Sequence, residues 1–96
     1  MSNILASIGL GQMQTIDETI LKTREIFKKY QNSFREYNDI EFMPSLIDSK
    51  STNWLTVMLI KNINYKEVKN LIKRLDEKNI ETRPIWKPMH LQPLFK

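Results

Sequence analysis

Ninety-six residues, 41% of them hydrophobic and 27% charged, describe one small soluble globular domain, without room for a second domain and outside the disordered class. The absence of cysteine excludes a disulfide framework and a zinc ribbon, and one histidine cannot build a metal site unaided. Fifteen Lys and Arg against eleven Asp and Glu give a net charge of +4 and a pI near 9.4. That balance permits affinity for nucleic acid, phosphate esters or anionic lipid without demanding any of them, because most lysines (Lys22, Lys28, Lys29, Lys66, Lys69, Lys73, Lys78) fall on the outer faces of predicted helices.

Ile4, Leu5 and Ile8 recur at helical spacing, and the pattern runs on through Leu10 to Met13. Thr15-Ile16-Asp17-Glu18 then predicts a capping box and a second helix, whose apolar series Ile20, Phe27, Tyr30, Phe34 and Tyr37 carries it to about Arg35 or Glu36. That aromatic stripe reads as core. Ile40 to Met43 is a short strand stopped by Pro44, and Ser45 to Asn53 is a loop. Trp54 to Lys61, rich in branched residues and apolar on both faces, predicts a central strand with Trp54 in the core. Asn62 to Asn64 connects to an amphipathic helix over Tyr65 to Lys78, closed by Asn79 in glycine's place at a C-terminal cap. Ile80 to Ile85 is the third strand. The expectation is an α+β fold, a three-stranded, mainly antiparallel sheet covered by helices on one face.

Beyond that strand the chain cannot be helical, because Pro84, Pro88 and Pro93 each lack an amide donor and push the preceding residue toward extended geometry. An extended loop carrying Arg83, Trp86, Lys87, His90 and Gln92 holds the tools for gripping a polar ligand. Arg83 offers a planar fork for phosphate or carboxylate, Trp86 a face for a sugar or base, and His90 the chain's single imidazole. No Ser-x-x-Lys, Gly-x-Ser-x-Gly or cysteine accompanies that imidazole, so hydrolase chemistry is not expected and no catalytic residue is assigned. Gly9 and Gly11 lack the phosphate-loop context and read instead as permitting close approach of another helix. The longest apolar run, Val57 to Ile60, falls far short of the roughly 20 residues a membrane span needs, and residues 1–13 lack a signal peptide's basic start. The expected address is cytoplasmic.

Three stretches go further together: Ser2 to Gln12 (SNILASIGLGQ), Lys22-Thr23-Arg24-Glu25-Ile26 with Tyr30, and Ile80 to Pro93 (IETRPIWKPMHLQP). They resemble the DegT/DnrJ/EryC1/StrS aminotransferases, pyridoxal-phosphate enzymes that aminate nucleotide-linked keto sugars. The closing motif is similar to the branch that makes 4-amino-4,6-dideoxy sugars, which includes perosamine synthases. The resemblance covers essentially the whole chain. It implies the small C-terminal domain of a fold-type I aminotransferase, with Arg83, Trp86 and His90 lining the substrate side of the cleft. It also implies that the Schiff-base lysine and the large domain lie outside these residues, so that the chain alone is expected neither to bind cofactor nor to transaminate. The helix over residues 1–15 would then pack on that large domain or on a second subunit, and a dimer through these helices is expected. The competing reading is a small basic α+β interaction module binding RNA or a phosphorylated ligand, for which aromatics on an exposed sheet face would be required.

Overall fold

In the computed structural model, which describes residues 2–95, two helices open the chain. Helix α1 (Asn3–Met13) begins where the Ser2 hydroxyl accepts from the Leu5 amide at 3.4 Å, and α2 (Ile16–Ser33) follows after a turn. The capping box expected at Thr15 and Glu18 does not form. Thr15 comes straight out of a helix at φ −112° and ψ 4°, not in the extended geometry that aims a cap side chain forward, and its hydroxyl donates back to the Gln12 carbonyl at 3.3 Å. Glu18 pairs instead with Lys22 one turn on, at 2.6 Å.

The chain divides into two compact units, one ending at Ile60 and the other beginning at Lys61. In the first, α2 stops at Ser33 because Phe34, at φ −104° and ψ 11°, leaves the helix and enters an aromatic cluster. Phe34 packs against Tyr30, Tyr37 and Phe42 with ring centroids 6.4, 5.9 and 6.4 Å away, and Phe42 meets Phe27 edge-on at 5.6 Å. Of the stripe read as core, Ile20, Phe27 and Phe34 are half-buried, together with Phe42, while Tyr30 and Tyr37 remain exposed. Strand β1 (Ile40–Phe42) pairs antiparallel with β2 (Met58–Ile60), Ile40 opposite Ile60 and Phe42 opposite Met58.

Two expectations about the sheet are corrected. Of the strand predicted over Trp54 to Lys61 only Met58–Ile60 pairs, because Asn53 turns the chain through a left-handed residue (φ 52°) and a bend follows, leaving Trp54 69% exposed and not in the core. No strand forms over residues 80–85, where Pro84 removes a ladder donor, so the sheet of the described residues has two strands and not three. A two-stranded ladder has no central position. Its outer face accordingly leaves Leu59, opposite Glu41, exposed. The loop before β2 is tied to α2 by side chains: the Thr23 hydroxyl donates to the Thr52 carbonyl at 2.6 Å and Arg24 Nε to the Ser51 carbonyl at 2.8 Å.

The second unit is built on α3 (Tyr65–Asp76), with Val68, Leu71, Ile72 and Leu75 half-buried along one face. Here a capping box does form. Asn64, extended at φ −89° and ψ 168°, accepts from the Lys66 and Glu67 amides, while the Glu67 carboxylate accepts from the Asn64 amide at 2.8 Å. At the other end Asn79, left-handed at φ 59°, donates its amide to the Asp76 carbonyl, and the Ile80 amide reaches Leu75 at 3.0 Å, the paired bonds of a Schellman turn. Both glycines lie in α1, so the left-handed positions fall to Asn53, Asn62 and Asn79, the residue type that tolerates them best after glycine.

The two capping sites make a matched pair for measurement. Asn64→Ala is expected to cost about 1 kcal/mol, whereas Thr15→Ala stays within about 0.5 kcal/mol because no forward cap is lost. Urea titrations followed by far-UV circular dichroism compare them, and equal losses would contradict the geometry.

No described residue is fully buried. The chain exposes 9474 Å², whereas two separate compact bodies of the units' sizes would together expose about 7,000 Å². On α1 alone Ile4, Leu5, Ile8, Leu10 and Met13 are each more than half exposed, and the helix carries no charged residue. A helix of that composition belongs in an interior.

Candidate functional site

The Schellman turn at Asn79 ends α3 and releases the chain into the segment that holds the candidate residues. From Glu81 to Pro88 it carries no regular secondary structure. Its stiffness is intrinsic, since Pro84 and Pro88 fix their own φ and restrict Arg83 and Lys87 before them. The extended loop expected beyond the strand is corrected: two single 3-10 turns, η1 (Met89–Leu91) and η2 (Pro93–Phe95), interrupt it. A proline forbids an α-helix interior but suits the start of a short turn, and Pro88 stands at such a start with φ −53°.

Arg83 is engaged. Its Nε donates to Glu81 Oε1 at 2.8 Å, and its Nη2 donates to the same oxygen. Residues two apart on extended chain share a side, and this places acid and base together. The pair is exposed on both sides, which makes it a weak tie that an incoming anion can displace. Trp86 is 69% exposed and presents most of its indole to its surroundings. His90 stands at the middle of η1, exposed, with no side-chain hydrogen bond among the described residues. The Thr82 hydroxyl is covered and unpartnered, a condition that costs about 1–3 kcal/mol and that an apolar residue of the same shape would avoid.

Arg83, Trp86 and His90 are thus displayed on one short segment, but Arg83 binds Glu81 and neither of the other two. They line neither of the shallow hollows of the first unit, one formed by Ser45–Ser49 and one by Leu21, Arg24, Glu25, Phe27, Lys28, Gln31 and Asn53. Sequence reasoning missed Glu81 as the partner of Arg83, although the alternation Glu81-Thr82-Arg83 on extended chain was the available signal. It named Gln92 only as one polar residue of the loop. In the structure Gln92 Nε2 donates to the Lys87 carbonyl at 3.0 Å.

Among the described residues no group of three or more His, Asp or Glu could hold a metal ion, and no helix is long and apolar enough to cross a membrane. The sheet offers no stacking platform through Phe42, which is taken up by Phe27 and Phe34.

The DegT/DnrJ/EryC1/StrS aminotransferase family model matches residues 1–96, and the chain belongs to that family. Among curated relatives, EpsN of Bacillus subtilis (strain 168), provisionally named a pyridoxal phosphate-dependent aminotransferase, is 41% identical over 95 residues, covering 99% of this chain and 24% of the relative. GDP-perosamine synthase of Escherichia coli O157:H7 is 32% identical over 95 residues, covering 99% of this chain and 25% of the relative. The GDP-perosamine synthase of Caulobacter vibrioides is 30% identical over 97 residues, with 99% and 26% coverage. The chain spans about a quarter of the length of these relatives. No solved structure matches it significantly.

Proposed function

We propose that this chain is the substrate-side portion of a pyridoxal phosphate-dependent aminotransferase acting on nucleotide-linked keto sugars, in the making of 4-amino-4,6-dideoxy sugars, and that it does not transaminate by itself. The observation that carries the reading is the match along the whole chain to aminotransferases four times its length, together with an exposed segment of Arg83, Trp86 and His90 at its end. In this role the Arg83 fork leaves Glu81 for the diphosphate, the Trp86 face covers a sugar or base ring, and His90 donates a hydrogen bond to a substrate oxygen.

Pyridoxal phosphate, when bound, supplies the electron sink for amino-group transfer. The residues present do not fit it. The cofactor requires an amine in an enclosed pocket beside an acid that reaches its ring nitrogen, but every described lysine is exposed and no described carboxylate is buried. In this reading the cofactor site is completed by residues beyond these, and a second copy of the chain covers α1.

Grafting residues 1–96 into EpsN in place of its matching quarter tests the reading, with cofactor absorbance as the check that the graft has folded. Arg83→Ala in the graft is expected to raise KM for the nucleotide sugar by about tenfold or more, the loss of one charge-assisted contact, with kcat nearly unchanged. The proposal fails if KM stays put, or if the 96-residue chain alone takes up cofactor stoichiometrically and turns over a keto sugar.

A further inference from the structure

The His90 side chain makes no hydrogen bond among the described residues, so the one constraint on its presentation is the backbone beneath it, which sets the direction in which the side chain leaves the chain. That backbone is a single 3-10 turn, held by the Leu91 amide on the Pro88 carbonyl at 2.9 Å and the Gln92 amide on the Met89 carbonyl at 3.0 Å. Two such bonds are marginal, since 3-10 geometry is poor and an isolated turn has no helix to extend it. A third bond spans the whole turn: Gln92 Nε2 on the Lys87 carbonyl at 3.0 Å, five residues back. Gln92 is half-buried while Leu91 and Pro93 on either side of it are exposed. Pro88 and Pro93 bracket the loop and already restrict the unfolded chain, which leaves few residues for the clasp to order.

We propose that Gln92 is the positioning residue for His90, its amide clasping the Lys87 carbonyl and so fixing the turn that presents the imidazole; the inference rests on the substrate-facing reading of His90. A neutral amide suits the task. It donates to a carbonyl at this reach without placing a charge beside the substrate's anion, whereas the isosteric carboxylate would set oxygen against oxygen.

The test uses the full 96-residue chain in solution. One histidine gives one set of imidazole resonances in the NMR spectrum, free of overlap. In Gln92→Glu and Gln92→Ala the amides of positions 91 and 92 should exchange about fivefold faster, the factor that one net hydrogen bond represents. The His90 ring resonances should move to those of an unstructured peptide, with α3 amides unchanged. Gln92→Lys, which retains a donor of similar reach, should restore both. Unmoved His90 resonances in Gln92→Glu would overturn the proposal, as would loss of protection throughout α3, which would make Gln92 a general stabiliser. Neither substrate nor cofactor enters these measurements, so failure of the aminotransferase reading registers separately, as an unchanged KM in the graft.

Discussion

At tens of micromolar, roughly the range in which bare apolar patches associate, the chain is expected to run as a dimer by light scattering, and Leu5→Glu with Ile8→Glu is expected to return it to monomer. The five large apolar side chains of α1 together leave on the order of 600 Å² uncovered, most of the roughly 800 Å² per partner that a standard interface uses. The helix carries no charged residue, and Asn3, Ser7 and Gln12 are its polar side chains. The glycines supply the sharper test. A methyl group added at Gly9 or Gly11 meets nothing within 4 Å, so either Gly→Ala change should raise helix content, by roughly 0.5–1 kcal/mol of stability per site. Gly9 and Gly11 lie about 200° apart around the helix, so a second α1 that approaches closely does so across one of them; alanine at that one must weaken the dimer while strengthening the helix, and alanine at the other strengthens the helix alone. A wild-type chain that stays monomeric would sink the self-association proposal, and an alanine variant that gains helix and dimerises unchanged would move the contact to another face.

Replacing Phe42 with alanine is expected to be the most damaging single change in the first unit. Its ring joins the sheet to α2, edge-on to Phe27 and tilted against Phe34, so truncation removes the contact between the two elements and not a peripheral side chain. Fully buried Phe→Ala changes cost about 3–5 kcal/mol, and for a half-buried ring about 2 kcal/mol is the proportionate figure. A unit of this size with no fully buried residue has only a few kcal/mol of stability, so such a loss removes much of it. Phe42→Leu, which keeps most of the volume, should cost under about 1.5 kcal/mol. The comparison is a urea titration beside Tyr65→Ala, a change at an exposed aromatic; equal midpoints for Phe42→Ala and Tyr65→Ala would show that the cluster holds nothing together.

What was legible in the chain was whatever depends on near neighbours. The periodicity of Val68, Leu71, Ile72 and Leu75 placed α3 to within two residues of its C-terminal end, and Asn79 was readable as its left-handed terminator because no glycine stood nearby. The prolines at positions 84, 88 and 93 kept α-helix out of the final segment, and the phrases IETRPIWKPMHLQP and SNILASIGLGQ carried the family resemblance that the family match bears out.

Strand extent and cap geometry were decided elsewhere. A strand exists only where a second edge meets it, so Met58–Ile60 pairs with Ile40–Phe42, with one further bond from the Met43 amide to the Val57 carbonyl, while the equally strand-like residues 54–56 and 80–85 form no ladder. Thr15-x-x-Glu18 and Asn64-x-x-Glu67 are alike as strings, yet only the second caps its helix, because Asn64 enters from extended chain and Thr15 from another helix. The hold of Glu81 on Arg83 had a signal in the alternation of the chain, whereas that of Gln92 on Lys87 follows from the 3-10 turn between them, which residue types alone leave open. The sequence by itself determined the helices, the stiffness of the closing segment and the family. Only the tertiary structure decided which strand edges pair, which loop Thr23 and Arg24 hold and which apolar faces are covered, because local propensity acts through near neighbours, whereas pairing and burial depend on residues that the chain brings together from a distance.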